Sequence, residues 1–221
     1  MGQQCLELWV KRKKEKNNLL LFFILIIMIF LFDLDDTLID TKIYAKIYPI
    51  IVSKVCSKLS INEDELFSKA ASLGLKKNKY GNYDSGELCN KLELLDLYYS
   101  VLEKEIEIND VLFSEVKEVF NSLKEKDSRI GIVSNSMLRT IKLYLDKYGL
   151  LVDFIFSSDY TGCNKDSVKY WEKLIATEKL DPSSCVVIGD DYNEDVEVPS
   201  SLGFKTFYLE SRSDLKKVLD I

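Results

Sequence analysis

The 221-residue chain contains no histidine. This excludes Ser-His-Asp and Cys-His catalysis, histidine phosphatases, His-containing zinc sites and HExxH proteases. Acid–base chemistry is left to carboxylates, Lys, Tyr or Cys. No GxxxxGK[ST] stretch occurs, which excludes a P-loop nucleotide binder. The five cysteines, Cys5, Cys56, Cys89, Cys163 and Cys185, form no CxxC pair. An odd, scattered set argues against a disulfide scaffold and against zinc, and for a reducing compartment. There is no basic stripe interleaved with aromatics, and the net charge is −6, so neither nucleic acid nor an anionic lipid surface is an expected partner. What is present is a chain that is 47% apolar and 30% charged, suited to a globular body of one domain, or one domain with an insert.

The start of the chain departs from this picture. The basic segment 11–16 (KRKKEK) precedes an unbroken apolar run from Leu19 to Phe32. As a helix those fourteen residues would span about 21 Å, short of the roughly 30 Å of bilayer hydrocarbon. No small-x-small cleavage site follows. The run also divides at Met28, where MIFLFDLDDTLID reads as a short buried strand ending in carboxylates. A spanning helix and that strand compete for the same residues. Three readings of 1–27 stay open: an over-extended gene start with Met28 as initiator, a genuine extension packing on the body or a membrane surface, or an anchor or signal. Without 1–27 the chain has 25 basic against 34 acidic residues, a net of −9.

From Thr41 to about Lys126 the pattern is helical. Leu112, Val116, Val119, Phe120 and Leu123 recur at helix spacing. Another helix starts at Ile61 or Asn62, with acids in its first turn and Gly74 beyond its end. Residues 75–86 form the clearest loop of this region. After Lys126 the texture alternates: RIGIVSNS as a strand, a helix from Met137 to about Tyr148, the strand DFIFSS, a helix over about 166–178, the strand CVVIGDD, a helix at about 194–202, the strand FKTFYL and a terminal helix. Alternation of this kind predicts an α/β fold, a Rossmann-like three-layer α/β/α core with a central parallel sheet. The long helical stretch after the first strand reads as an inserted helical cap. Three strand ends carry chemistry-bearing residues, namely Asp33/Asp35, Ser134/Asn135 and Asp190/Asp191. Ligands of open α/β sheets bind at such carboxyl ends.

These motifs resemble the haloacid dehalogenase superfamily of aspartate-nucleophile phosphohydrolases. The family's DxDxT is matched by Asp33-Leu34-Asp35-Asp36-Thr37. Its apolar strand ending in Ser or Thr is matched by Ile130–Ser134, followed by Asn135, and its lone Lys by Lys165. Its GD with a further Asp is matched by Gly189-Asp190-Asp191 through Asp195. The resemblance covers about residues 28–221. One departure is that Asp166 follows Lys165 where the family often has Pro, which leaves Lys169 as a second candidate. The resemblance implies a catalytic core of 28–40 and 127–221 and a helical cap of 41–126.

It also implies a mechanism. Asp33 would attack phosphorus to give an aspartyl-phosphate, and Asp35 would protonate the leaving oxygen and later activate water. Mg2+ would be held by Asp33, the backbone carbonyl of Asp35, and Asp190, with Asp191 the alternative ligand. Asp195 would orient Lys165 or the metal's waters, while Ser134, Asn135 and Lys165 would hold the phosphoryl group. The expected activity is therefore a Mg2+-dependent phosphatase of a small phosphorylated metabolite. A phosphomutase with the same core is the alternative within the family, and a non-catalytic, membrane-tethered module the alternative outside it. The loop 76–86, with Lys77, Lys79 and Tyr80, is the candidate for substrate selection. The protein is expected to be a cytoplasmic monomer or homodimer that meets a membrane only if 1–27 is a genuine leader.

Overall fold

A computed structural model describes residues 28–78 and 81–221. The readings of residues 1–27, and the roles suggested for Lys79 and Tyr80, lie outside the described residues. Five strands form one sheet: β1 (Ile29–Phe32), β2 (Arg129–Ser134), β3 (Phe154–Ser157), β4 (Cys185–Gly189) and β5 (Lys205–Tyr208). Their order is β3-β2-β1-β4-β5, and every pairing is parallel. All five carboxyl ends therefore share one edge. The central strand β1 is in register with both neighbours, Phe32 lying beside Ile132 and Ile188.

The period of two along each strand sends alternate side chains to opposite faces. Phe30, Phe32, Ile130, Ile132, Val186 and Ile188 join one apolar cluster; Ile29, Leu31, Val133, Cys185 and Val187 join another. Both faces are covered by helices, so the strands read as continuous apolar runs. Gly131 in β2 has a packing reason. A Cβ there would lie 2.4 Å from the Phe154 ring of β3, so only glycine admits that ring.

Among the described residues, five helices lie between β1 and β2: α1 (Lys42–Leu59), α2 (Glu63–Ser72), α3 (Ser85–Lys91), α4 (Leu95–Ile108) and α5 (Val116–Glu125). Helix α2 starts where its acids suggested, with Asn62 and Glu65 forming a reciprocal capping box. The chain leaves and re-enters the sheet at adjacent points, since Asp40 N donates to Val111 O and Phe113 N to Leu38 O. After β2 come α6 (Leu138–Tyr148), a one-turn α7 (Ser158–Thr161), α8 (Val168–Glu178) and α9 (Val198–Ser201). Trp171 and Leu174 of α8 are fully buried against the second face, each such side chain contributing about 1.5–3 kcal/mol.

Three local expectations change. Residues read as the loop DYTGCN contain α7, closed by Gly162 at φ 67°. The helix read at 194–202 is a π-helical turn (Tyr192–Glu197) running into the short α9. The terminal helix is of the 3-10 type, Arg212–Asp220. Among the described residues no helix is long and apolar enough to cross a membrane.

Candidate active site

Asp33 continues β1 past its last paired residue, its N–H donating to Ile188 O at 2.9 Å. The ladder thus fixes the backbone of a carboxylate that is only 5% exposed. Asp36, next but two, sits at φ 56° and reverses the chain, with its own carboxylate accepting from Thr41 Oγ1 at 2.7 Å. The left-handed turn costs something for a residue with a Cβ, and the aspartate's local hydrogen bonding offsets it.

Lys165 reaches the same point from the loop after α7. Its ammonium is 2% exposed and donates to Asp33 Oδ1 at 2.5 Å and to Asp195 Oδ1 at 2.8 Å. Its backbone is clamped as well, the N–H donating to Asn135 Oδ1 at 2.9 Å and the carbonyl accepting from Trp171 Nε1 at 2.8 Å. Burial alone would lower the lysine's pKa, but the carboxylates of Asp33 and Asp195 outweigh it and raise it. Burial drives Asp33 well above the ordinary carboxylate range, and Lys165 offsets part of that rise. Lys169, the second sequence candidate, lies on α8 and makes no contact with Asp33 among the described ion pairs.

Asp195 is delivered by the π-helical turn. Asp191 opens that turn by accepting from Glu194 N at 2.9 Å, and Asp191 N in turn donates to Asp195 Oδ2 at 3.1 Å. Gly189 makes room for this: a Cβ there would lie 2.1 Å from Asp195 Oδ2. Carboxylate oxygens of Asp33, Asp190 and Asp195 all lie within 4.8 Å of one another. Asp190 also accepts from Thr37 Oγ1 at 3.3 Å. Burial, then the negative charge of Asp195 and Asp36, pushes Asp190 up to about 6. Three converging hard oxygen donors form a set that a divalent cation would relieve, so the residues fit such an ion. Asp195 joins this cluster, where the sequence offered it either as the residue orienting Lys165 or the metal's waters or as an alternative ligand. Asp191 does not; its carboxylate caps the turn instead.

Asp35 stands in a different environment. Its Oδ2 accepts from Ser136 Oγ at 2.6 Å and its Oδ1 from Tyr44 OH at 3.0 Å. Burial raises its pKa, and the two donors pull it partly back. Ser134 is 1% exposed, and its Oγ accepts from Ser136 N at 3.0 Å. Asn135 spans the loops, donating to Glu194 Oε2 at 2.6 Å while accepting from Lys165. Ser136 and Tyr44 escaped the sequence reading, and Thr37 and Glu194 stood inside the quoted motifs without a role. Ser136 adjoins a quoted motif, whereas Tyr44 carries no local signal. Of the loop suggested for substrate selection, Lys77 lies over the rings of Phe67 and Tyr83, 5.5 and 5.4 Å from their centroids.

The fold and this edge agree with a match of the haloacid dehalogenase-like hydrolase family to residues 27–203. The chain belongs to the haloacid dehalogenase-like hydrolases. The expectation of a hydrolase from the sequence therefore holds. Glyceraldehyde 3-phosphate phosphatase of Methanothermobacter thermautotrophicus is 24% identical over 206 residues, covering 81% of this chain and 84% of its own. Among solved structures, a HAD phosphatase from Thermococcus onnurineus superposes with a TM-score of 0.66 at 22% identity, covering 87% of this chain and 97% of its own. The putative HAD-hydrolase YfnB of Bacillus subtilis, bound to magnesium, gives a TM-score of 0.57 at 18% identity, covering 88% and 99%. At these identities the two structures speak for the fold of this haloacid dehalogenase-like hydrolase.

Proposed function

We propose that this hydrolase is a Mg2+-dependent phosphatase of small phosphorylated metabolites, sugar phosphates foremost, working through an aspartyl-phosphate. The observation that carries the reading is the contrast between two carboxylates two residues apart. Asp33 is buried against Lys165 beside Asp190 and Asp195, whereas Asp35 is held by neutral hydroxyl donors. Two carboxyl groups in unlike environments can take unlike roles. The relative named glyceraldehyde 3-phosphate phosphatase supports the substrate class.

In this mechanism Asp33 attacks phosphorus with the oxygen that Lys165 does not hold. The bond to the leaving oxygen breaks as Asp35 transfers its proton there. Asp35, now a carboxylate, takes a proton from a water that attacks the phosphorus of the aspartyl-phosphate. Phosphate departs, and Asp33 is regenerated. Lys165 steadies Asp33 and, with Ser134 and the N–H groups of the loop after β2, meets the charge on the transferring group. Asp33 and Asp190 would hold Mg2+ with the carbonyl of Asp35, and Asp195 would do so directly or through water. Mg2+, when bound, neutralises phosphoryl charge that the surrounding carboxylates would otherwise repel. Residues 41–126 serve as a helical cap over a core formed by 28–40 and 127–221.

The test is hydrolysis of an aryl phosphate by the purified chain. Turnover is expected with Mg2+ and is lost in EDTA. Asp33→Asn should lower kcat by more than about 1,000-fold. Wild-type rates in Asp33→Asn would remove the nucleophile from this scheme.

A further inference from the structure

The acid–base carboxylate is oriented by a residue that the family's motifs do not contain. Asp35 has both oxygens engaged, from two unrelated parts of the chain. Ser136 comes from the loop after β2 and binds Oδ2; Tyr44 comes from the first turn of α1 and binds Oδ1. Two donors on opposite oxygens fix the plane of a carboxyl group, which one donor leaves free to swing. We propose that Tyr44 is the positioning residue for the acid–base step, its phenol setting the plane from which Asp35 hands a proton to the leaving oxygen. This deepens the phosphatase reading and rests on Asp35 being the acid.

A second feature points the same way. The side chain of Tyr144, on α6, is fully buried, with its hydroxyl beside that of Tyr44. A buried hydroxyl seeks a partner, and the Tyr44 phenol beside it is braced on the side away from Asp35. Tyr44 keeps its O–H on Asp35 Oδ1 through both the acid step and the base step. Tyr44 transfers no proton in either step. Burial, and then the charge of Asp35, raise its pKa well above that of a free phenol, so it stays a donor. The groups facing this pair are Ser136, Lys165 and Asp36 around Asp35, and Tyr144 and Tyr98 around Tyr44.

The experiment compares kcat/KM for two Mg2+-loaded substrates, an alkyl phosphate and an aryl phosphate with an acidic phenol. An alkoxide needs the proton from Asp35 far more than an acidic phenolate does, so a fault in the acid step falls on the alkyl substrate. Tyr44→Phe is expected to lower the alkyl-to-aryl ratio about ten-fold. The ratio cancels the concentration of active enzyme, so partial unfolding does not imitate the effect. Tyr44→Leu should give a similar ratio, because the hydroxyl is what both variants lack. Asp35→Asn, measured alongside, should lower the ratio further. If Asp35→Asn lowers it while Tyr44→Phe leaves it at the wild-type value, the positioning role is overturned and the acid assignment stands. If Asp35→Asn leaves the ratio unchanged, the acid assignment fails and the proposal falls with it.

Discussion

The carboxyl edge of the sheet and the five helices between β1 and β2 handle polar groups in opposite ways. At the edge, Asp33, Lys165 and Asp195 are almost wholly withdrawn from water and paired with one another. In the helices, Ser85, Tyr98 and Tyr99 are the buried side chains that carry a polar oxygen among the described residues, and the ion pairs made by these helices are at the surface. Burying a charge costs several kcal/mol before any partner repays it. The chain bears that cost where phosphoryl chemistry would use a fixed charge and avoids it where helices need only cover an apolar face. Tyr44 is where the two regions meet, a helix residue whose hydroxyl is aimed at the edge.

The sharpest way to break this contrast is Lys165→Met, which keeps the length of the side chain and removes the charge. Asp33 and Asp195 would remain buried without their cation. A broken buried pair is expected to lower unfolding free energy by about 3–5 kcal/mol at neutral pH in urea titrations. Activity should fall by more than about 100-fold. The sign with pH follows from Asp33. Its folded pKa, already raised by burial, rises further without Lys165, so the folded state binds the proton more tightly than the unfolded chain. Stability should therefore recover as the pH falls toward that raised pKa. A loss no larger than that of a surface lysine would show that the edge carries no special electrostatic cost.

A smaller effect is expected at Asp190, which shares the edge but is partly open to water. Its folded pKa of about 6 stands above the ordinary 3.8. Its contribution to stability is thus fully present below about pH 4 and is lost as pH rises through about 6. At pH 7.5 in EDTA, Asp190→Asn should relieve repulsion with Asp195 and Asp36. Discounted for solvent screening, this is about 1 kcal/mol, or about 2–4 °C in Tm. Added Mg2+ should raise the Tm of the wild-type protein and leave the variant nearly unmoved. An equal rise in both would take Asp190 out of the ion site.

How much of this was legible in the sequence follows the same division. The strands could be read because burial on both faces makes continuous apolar runs, as in IFLF and CVVIG. Asp33, Lys165, Asp190 and Asp195 could be singled out because the edge draws them from short motifs at strand ends. The inward swing of Asp195 was hidden, because a helical pattern at 192–197 does not distinguish an α turn from the π turn that sets it against Gly189. Tyr44 was hidden for a deeper reason. On α1 it is one of two tyrosines, Tyr44 and Tyr48, and only the packing of that helix over the sheet edge brings it to Asp35. Local sequence carries the chemistry of the edge; what the helices contribute to it depends on how they come to rest.

The smallest expected effect lies where the helices and the sheet's own helices touch through charge. Arg139 on α6 donates to Glu103 of α4 at 3.0 Å, approaches Asp96 at 3.6 Å, and stacks 3.9 Å from the centroid of Tyr99. Its side chain is half exposed, so water and salt screen the pair. Arg139→Ala should cost about 0.5–1 kcal/mol, part of it lost in high salt and part surviving as contact with the tyrosine face. A double-mutant cycle with Glu103→Gln would separate the charge from the stacking. Turnover of the aryl phosphate should change by less than about two-fold, because nothing at this seam reaches Asp33 or Asp35. A ten-fold fall in kcat would mean that a surface pair sets how α4 and its neighbours sit over the edge. The helices would then be part of the catalytic geometry through their charges as well as through Tyr44, and the division between the two regions would have to be redrawn.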